Sequence, residues 1–431
     1  MLDMQRRLTP AFNAIISLPS TAMGFALCIQ ISALSWLLST KYHLDIHEIG
    51  IVWAAGPLAG ILGQVIIGMV SDKVWFWGGR RRPFILIGGA LAALMVFLLP
   101  RIDQVASLLG IGNLLVVAVI VALTLDLSIN IGFNPTRSLI ADVTPEGDAR
   151  TRGFTWMQTI SGFFGVLAYL IGAFIDNYAL ISVGVVIVFV FSVLPIFFVT
   201  EPRVLGANTD KLSDTVAATP TDWGQLWRIY FAHGFAWLGV QSMFVYIIAF
   251  IQQHLVPGDA SPADVAAQSG HVIAISFAVM NVVGFVLPAL VLAPIARRIG
   301  SVRTQAGCMA IMAAAYLGIA TMASTPHRLY ALMAVVGIGW SAVVSLPFAI
   351  MSEKVDKSRM GFFMGMFNLS VVLPQLLSTG VGYIMRAASD SNVLFLICGG
   401  CLAVSALLWC LVRENSVAVA APHKQPLAPA H

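Results

Sequence analysis

Glu201-Pro-Arg-Val-Leu-Gly-Ala-Asn-Thr-Asp-Lys-Leu-Ser-Asp-Thr-Val-Ala-Ala-Thr-Pro-Thr-Asp-Trp-Gly224 is the one long polar insertion in a chain that otherwise alternates apolar stretches with short breaks. Its Thr, Asp, Ala and Pro content reads as a linker. Working outward, six apolar stretches precede it, at 11–38, 48–70, 83–100, 108–134, 153–175 and 178–200. Six more follow, at 226–252, 270–294, 304–323, 328–350, 361–385 and 392–412. A hydrocarbon core about 30 Å thick needs about 20 mostly apolar residues per helical crossing, so each stretch reads as one span. The expected fold is therefore an all-α membrane protein with twelve transmembrane helices in two six-helix bundles, 1–200 and 225–413. The linker 201–224 joins the bundles, and residues 414–431 form a tail.

Composition excludes the alternatives. Of 431 residues, 58% are hydrophobic and only 10% charged, with a mean hydropathy of +0.88, and no soluble surface can be built from that. The net charge is +4, and the basic residues are scattered through loops without interleaved aromatics, so there is no nucleic-acid footprint. All five cysteines, Cys28, Cys308, Cys398, Cys401 and Cys410, lie in apolar stretches, which argues against a disulfide framework. Cys398-Gly-Gly-Cys401 is formally CxxC but lacks the βαβ context of a redox motif. Arg6 and Arg7 precede an apolar run too long for a signal-peptide core, so that run is expected to remain as a helix.

Charge placement predicts the orientation, because cytoplasmic loops carry excess Lys and Arg. With the N-terminus inside, eighteen basic residues fall on cytoplasmic segments, and only Lys41, Arg101, Arg328 and Arg386 fall outside. Both ends are thus expected in the cytoplasm, and the linker and tail with them. The expected location is a plasma membrane, such as a bacterial inner membrane. Gly56, Gly60 and Gly68, with Gln64 between them, repeat at helical spacing in the second stretch and read as close helix packing.

Between the second and third stretches runs Gly68-Met-Val-Ser-Asp72-Lys73, then Val-Trp-Phe-Trp-Gly78-Gly79-Arg80-Arg81-Arg82-Pro83. A carboxylate at a helix end facing a basic cluster can form a charge-assisted latch that makes and breaks as two bundles rock, so Asp72, Lys73, Arg80, Arg81 and Arg82 are latch candidates. The matching loop of the second half, with Arg297, Arg298, Gly300 and Arg303, keeps the glycine and basic residues but lacks the Asp. That pattern fits a degenerate internal repeat.

The fourth stretch carries Leu123-Thr-Leu-Asp126-Leu-Ser-Ile-Asn130-Ile-Gly-Phe-Asn134-Pro135-Thr-Arg137. At 100° per residue, Asn130, Asn134 and Arg137 fall within roughly 40° of Asp126, so four polar side chains share one helix face. Such a stripe is costly against lipid and must face a cavity or the bundle interior. Desolvation disfavours the charged form of Asp126, and a guanidinium, a substrate or water nearby would favour it, which suits a proton-coupling carboxylate. A structural ion pair is the competing reading for Asp126, and snorkelling to the helix end is the competing reading for Arg137.

These residues carry a family resemblance. Gly68 to Pro83 resembles the GxxxD(R/K)…GRR loop of the major facilitator superfamily, and Arg80-Arg-Arg-Pro-Phe-Ile85 resembles the GRRRPFI loop of its sucrose-proton symporters. The run Asp126, Asn130, Pro135, Arg137, Leu139, Ala141 and Asp142 is similar to the same symporters, with Asn134 standing where that family has Gly. Ser345-Leu-Pro347-Phe-Ala349 and Asn368-Leu-Ser-Val-Val-Leu-Pro374-Gln375 resemble it in the second half. The resemblance implies the major facilitator fold and a proton-coupled importer of α-linked disaccharides, within the glycoside-pentoside-hexuronide:cation symporter group. It also implies that Asp126 is the proton-coupling carboxylate and that Arg137 is needed for sugar transport.

The seventh stretch places His233, Trp237 and Gln241 at offsets of four. An aromatic with donors and acceptors beside it suits a sugar, whose ring face is apolar and whose edge is hydroxyl-rich. Asn368 and Gln375 share a face of the eleventh stretch, and Gln158 lies within the fifth. Each of these amides serves equally as interhelical glue. The substrate-binding candidates are therefore Asn130, Asn134, Arg137, Gln158, His233, Trp237, Gln241, Asn368 and Gln375. No Walker A loop, HExxH or GxSxG stands in the loops, so no enzyme, cofactor or metal is expected. The expected partners are a disaccharide such as sucrose or maltose, protons and the lipid bilayer, with no nucleic acid and a monomeric chain. The alternatives are a proton-driven exporter of amphipathic compounds on the same fold and a non-transporting membrane assembly or receptor protein.

Overall fold

The structure, a computed structural model, describes residues 3–145, 148–201, 221–352, 354–355 and 360–414, and within helices the side chains of 3, 58, 61–73, 134, 148–151, 289, 352, 360–362 and 364–365 lie outside the described set. Most of the linker and of the tail fall outside it as well.

Twelve long helices stand among the described residues. The first half holds α1 (Pro10–Thr40), α2 (Ile46–Lys73), α3 (Arg82–Leu109), α4 (Leu114–Val143), α5 (Asp148–Phe174) and α6 (Asn177–Phe198). The second holds α7 (Trp223–His254), α8 (Pro262–Leu287), α9 (Ser301–Met322), α10 (Pro326–Ser352), α11 (Met360–Leu377, resuming as Thr379–Ala387) and α12 (Val393–Cys410). Eleven of them are long and apolar enough to cross a membrane by the described residues alone. The remaining one, α2, has half of its side chains outside that set.

Local chemistry sets the helix starts. Thr9 Oγ1 accepts from Phe12 N at 3.3 Å ahead of Pro10, Asp176 Oδ1 from Ala179 N at 2.6 Å, and Asp222 Oδ1 from Gln225 N at 3.1 Å. Each satisfies an amide that has no partner within the first turn. Gly110, at φ 66°, ends α3 in the left-handed region that glycine enters without a Cβ penalty. This corrects one expected boundary: the fourth helix begins at Leu114 rather than near 108, because residues 102–109 continue the third. It also runs on through Pro135 to Val143, past the expected end at 134.

The two halves repeat one packing scheme. In the first, α1 packs on α5 and α6, α3 packs on α4 and α6, and α2 packs on α4. Adding six to every index reproduces the main contacts of the second half. The main contacts between halves, α2 with α11 and α5 with α8, are exchanged by the same operation, so the halves are related by pseudo-symmetry. Gln5 bonds Thr200 and Arg413 N donates to Gln225, which brings both chain ends to one face, here the terminal face.

Hydrogen bonds joining the halves cluster at the opposite, far face. Trp36 Nε1 donates to Ala266 O at 2.7 Å, His271 Nδ1 pairs with Ala173 O at 2.6 Å, and Ser39 Oγ donates to Gln252 Oε1 at 3.2 Å. The far face is closed.

Candidate functional site

A cavity of about 360 Å³ lies between the halves near the middle of α4 and α7, within the range of about 300–1,000 Å³ that small-molecule sites occupy. The helices that line it are α1, α2 and α4 from the first half and α7, α10 and α11 from the second. Its lining is amphipathic, with Trp53, Trp237, Trp340, Phe133 and Phe244 supplying aromatic faces and Gln30, Asn130, Gln241, Asn368 and Gln375 supplying amides. Among the described residues, Asp126 is the one carboxylate in the wall, and no cationic side chain lines it.

Asp126 is buried, at 8% exposure. Gln30 Nε2 donates to its Oδ2 at 2.8 Å, and Asn130 Nδ2 donates to its backbone carbonyl at 2.8 Å. Gln30 begins a π-helical turn, Gln30–Leu34, within α1. Such wide turns inside α-helices occur often at functional sites, and here one stands where an amide meets the carboxylate. Opposite, Gly56 on α2 abuts the carboxylate, since a Cβ there would lie 2.9 Å from Oδ2. The glycine repeat expected to serve packing alone therefore also forms part of the cavity wall, with Gly56 and Gly60 both lining it.

From the second half, Trp237, Gln241 and Phe244 follow helical spacing down α7, and Gln375 Nε2 donates to Gln241 Oε1 at 3.3 Å. Trp237 meets Trp340 edge-on at 5.9 Å, and Trp340 meets Phe244 edge-on at 5.4 Å. These contacts hold the rings as one continuous wall.

Of the residues expected at the site, Asp126, Asn130, Trp237, Gln241, Asn368 and Gln375 converge on the cavity. His233 does not line it. The imidazole is 2% exposed, stacked on Phe367 at 4.7 Å, and accepts a hydrogen bond from Trp237 Nε1 at 2.9 Å. Arg137 is exposed, one turn beyond the cavity, with its guanidinium 5.3 Å from the centre of the Phe133 ring. Gln158 is exposed on α5 and away from the cavity lining. The side chain of Asn134 lies outside the described residues.

Gln30, Trp53 and Trp340 were not singled out by pattern. The only signal for Gln30 is a lone amide in an apolar span, and its role depends on the rotation of α1 against α4.

The latch candidates divide in the same way. The side chains of Asp72 and Lys73 lie outside the described residues. Arg81 Nε pairs with Asp142 Oδ2 at 3.1 Å, and both side chains are largely buried. Glu201, just past α6, accepts from the backbone N–H groups of Arg80, Arg81 and Arg82 at 2.7 to 2.8 Å, and Arg82 also donates to Ile196 O. The second half does the same with Glu414, just past α12, which accepts from Ser301 N at 2.8 Å and Val302 N at 3.0 Å. Glu414 is thus the counterpart of Glu201, a carboxylate supplied by the end of each bundle.

Comparison with known proteins agrees with this architecture. A model described as the Major Facilitator Superfamily matches residues 16–379. The chain is 26% identical over 311 residues to the general alpha-glucoside permease of Schizosaccharomyces pombe, a match covering 62% of this chain and 55% of that protein. It is 22% identical over 441 residues to the sucrose transport protein SUC4 of Arabidopsis thaliana, covering 86% of this chain and 84% of that one. Among solved structures, the inward open xylose transporter XylE from E. coli superposes with a TM-score of 0.69 at 14% identity, covering 95% of this chain and 97% of that one. A nucleoside transporter, NupG (D323A mutant), gives 0.72 at 13% identity, covering 94% of this chain and 100% of that one.

Proposed function

The chain belongs to the Major Facilitator Superfamily, and on that premise we propose that it imports a disaccharide, sucrose, maltose or a related α-glucoside, by alternating access coupled to protons. The observation that carries this reading is the cavity itself, where one carboxylate stands among amides and tryptophans contributed by both halves. Tryptophan faces pack against the apolar face of a pyranose ring, while Asn and Gln offer both donors and acceptors to its hydroxyls. With no cation among the described residues of the wall, the lining suits a neutral cargo better than an anionic one. Similarity to an alpha-glucoside permease and a sucrose transport protein points the same way.

The coupling follows from electrostatics. An ionised Asp126 with one amide donor is expensive to enclose between two apolar bundles, because a buried charge needs partners that replace water. A proton removes the charge, and a sugar hydroxyl donating to the carboxylate offsets part of the cost. The barrier to rocking of one half against the other is lowest when both are bound, so the proton gradient draws sugar across with it. Cytoplasmic chain ends and a plasma-membrane location belong to the same proposal, as does a functional monomer. The amides of the cavity weigh against export of amphipathic cations, for which an apolar lining would suffice.

The test is uptake of labelled sucrose and maltose into proteoliposomes under an imposed inward proton gradient. Asp126→Asn is expected to abolish accumulation while retaining exchange of sugar for sugar. Full gradient-driven accumulation by Asp126→Asn would overturn the coupling assignment, and no saturable uptake of either sugar by the parent would overturn the cargo.

A further inference from the structure

His233 sits behind the cavity wall rather than in it, yet it is bonded to a residue that lines the site. We infer that His233 is a positioning residue for sugar recognition, which sets the orientation of the Trp237 indole by accepting its N–H and relays the position of α11 to that ring. This rests on the reading of the cavity as a sugar site.

An indole N–H can only donate, so the 2.9 Å contact makes His233 Nε2 the acceptor. The ring must then carry its proton on Nδ1, and a doubly protonated imidazolium would have no lone pair to offer. The imidazole is held from its other side by Phe367, whose ring lies 4.7 Å away and nearly parallel at 15°. Phe367 precedes Asn368, which lines the cavity from α11. One flat ring thus links a wall residue of α7 to the helix that supplies the opposing amides. The edge-on contact of Trp237 with Trp340 continues the chain to α10, so a rotation of the indole would move a wall built from three helices.

The alternative role, filling space in the core, makes a different prediction. Space-filling needs only volume, whereas positioning needs a lone pair facing the indole. His233→Gln retains an acceptor and His233→Leu does not. With the acceptor gone, the half-buried indole N–H loses its partner and the ring turns to find another.

The experiment uses purified full-length protein with nitrogen-15 tryptophan, the Trp237 indole resonance being identified by its absence in Trp237→Phe. The expected result is a displaced indole resonance in His233→Leu and a resonance near the parent position in His233→Gln. In parallel, His233→Leu is expected to raise the KM for sugar about tenfold at an unchanged maximal rate, with His233→Gln restoring most of the affinity. In a Trp237→Phe background His233→Leu should then cost nothing further, since the group it orients is gone. An indole resonance indifferent to His233→Leu would overturn the inference, as would an equal loss of affinity in the Trp237→Phe background. If the parent binds neither sucrose nor maltose, the sugar reading fails instead, and the resonance still reports on the bond.

Discussion

At the scale of single residues, the sharpest consequence concerns a side chain that is absent. A Cβ on Gly56 would lie 2.9 Å from Asp126 Oδ2 and 3.1 Å from Cγ, whereas a Cβ on Gly60 would meet only Asn130 Nδ2, at 4.0 Å. Gly56→Ala must therefore turn the carboxylate away from Gln30, and overpacking of this kind costs about 1–3 kcal/mol. Gradient-driven uptake by Gly56→Ala is expected to fall about tenfold or more at equal membrane abundance, with Gly60→Ala within about twofold of the parent. Equal losses from the two would mean that the α2–α4 spacing acts through packing and not through the carboxylate. The same contrast shows what the sequence conveys about individual residues. A helical offset of four announces that Asp126 and Asn130 share a face, and they do meet the cavity. The offset says nothing about how far along the helix the cavity extends, so Arg137 falls one turn beyond it. His233 and Trp237 have the same spacing, and only one of them reaches the wall.

At the scale of elements, the ends of the two bundles show a device repeated by the pseudo-symmetry. Glu201 closes the first half by accepting from three backbone amides at the start of α3, and Glu414 closes the second by accepting from the amides that open α9. A carboxylate at a helix N-terminus satisfies amides that have no partner in their own turn and meets the positive end of the helix dipole. Hydrogen bonds to a charged acceptor contribute about 1.5–3 kcal/mol each, less where the groups stay wet. Glu201→Ala and Glu414→Ala are each expected to lower the unfolding temperature in detergent. The former should lower it more, since Glu201 is 6% exposed and its bonds are shorter. The corresponding glutamine variants should fall between, because an amide oxygen still accepts. Unchanged unfolding temperatures in both alanine variants would remove the capping role. The helices themselves were legible, because an apolar run of span length allows little else in a bilayer. Their ends were less so: Gly110 rather than a loss of hydrophobicity separates α3 from α4, and the break in α11 at Ser378 falls between Pro374 and Gly380 rather than at either of them.

For the molecule as a whole, the two-bundle plan was readable from the count of spans around 201–224, while the contact between bundles was not. The partners that close the far face are remote in sequence, as with Trp36 and Ala266 or His271 and Ala173, and each looks unremarkable in its own helix. Under the proposed alternating access these bonds must part when the cavity opens to the far side, which would make the closed face one state of a cycle. Ser39 at the end of α1 and Gln252 near the end of α7 are suited to testing this, since their side chains touch at 3.2 Å and lie away from the cavity. In a background where the exposed Cys410 is replaced by Ser, Ser39→Cys with Gln252→Cys can be joined by a short bis-methanethiosulfonate. The joined protein is expected to bind sugar but to accumulate none in proteoliposomes, with uptake restored by a reductant that cleaves the link. Either single cysteine treated alike should transport as before. Undiminished uptake by the joined protein would mean that transport proceeds without parting these two helix ends, and the far-face contacts would then belong to the scaffold and not to the gate.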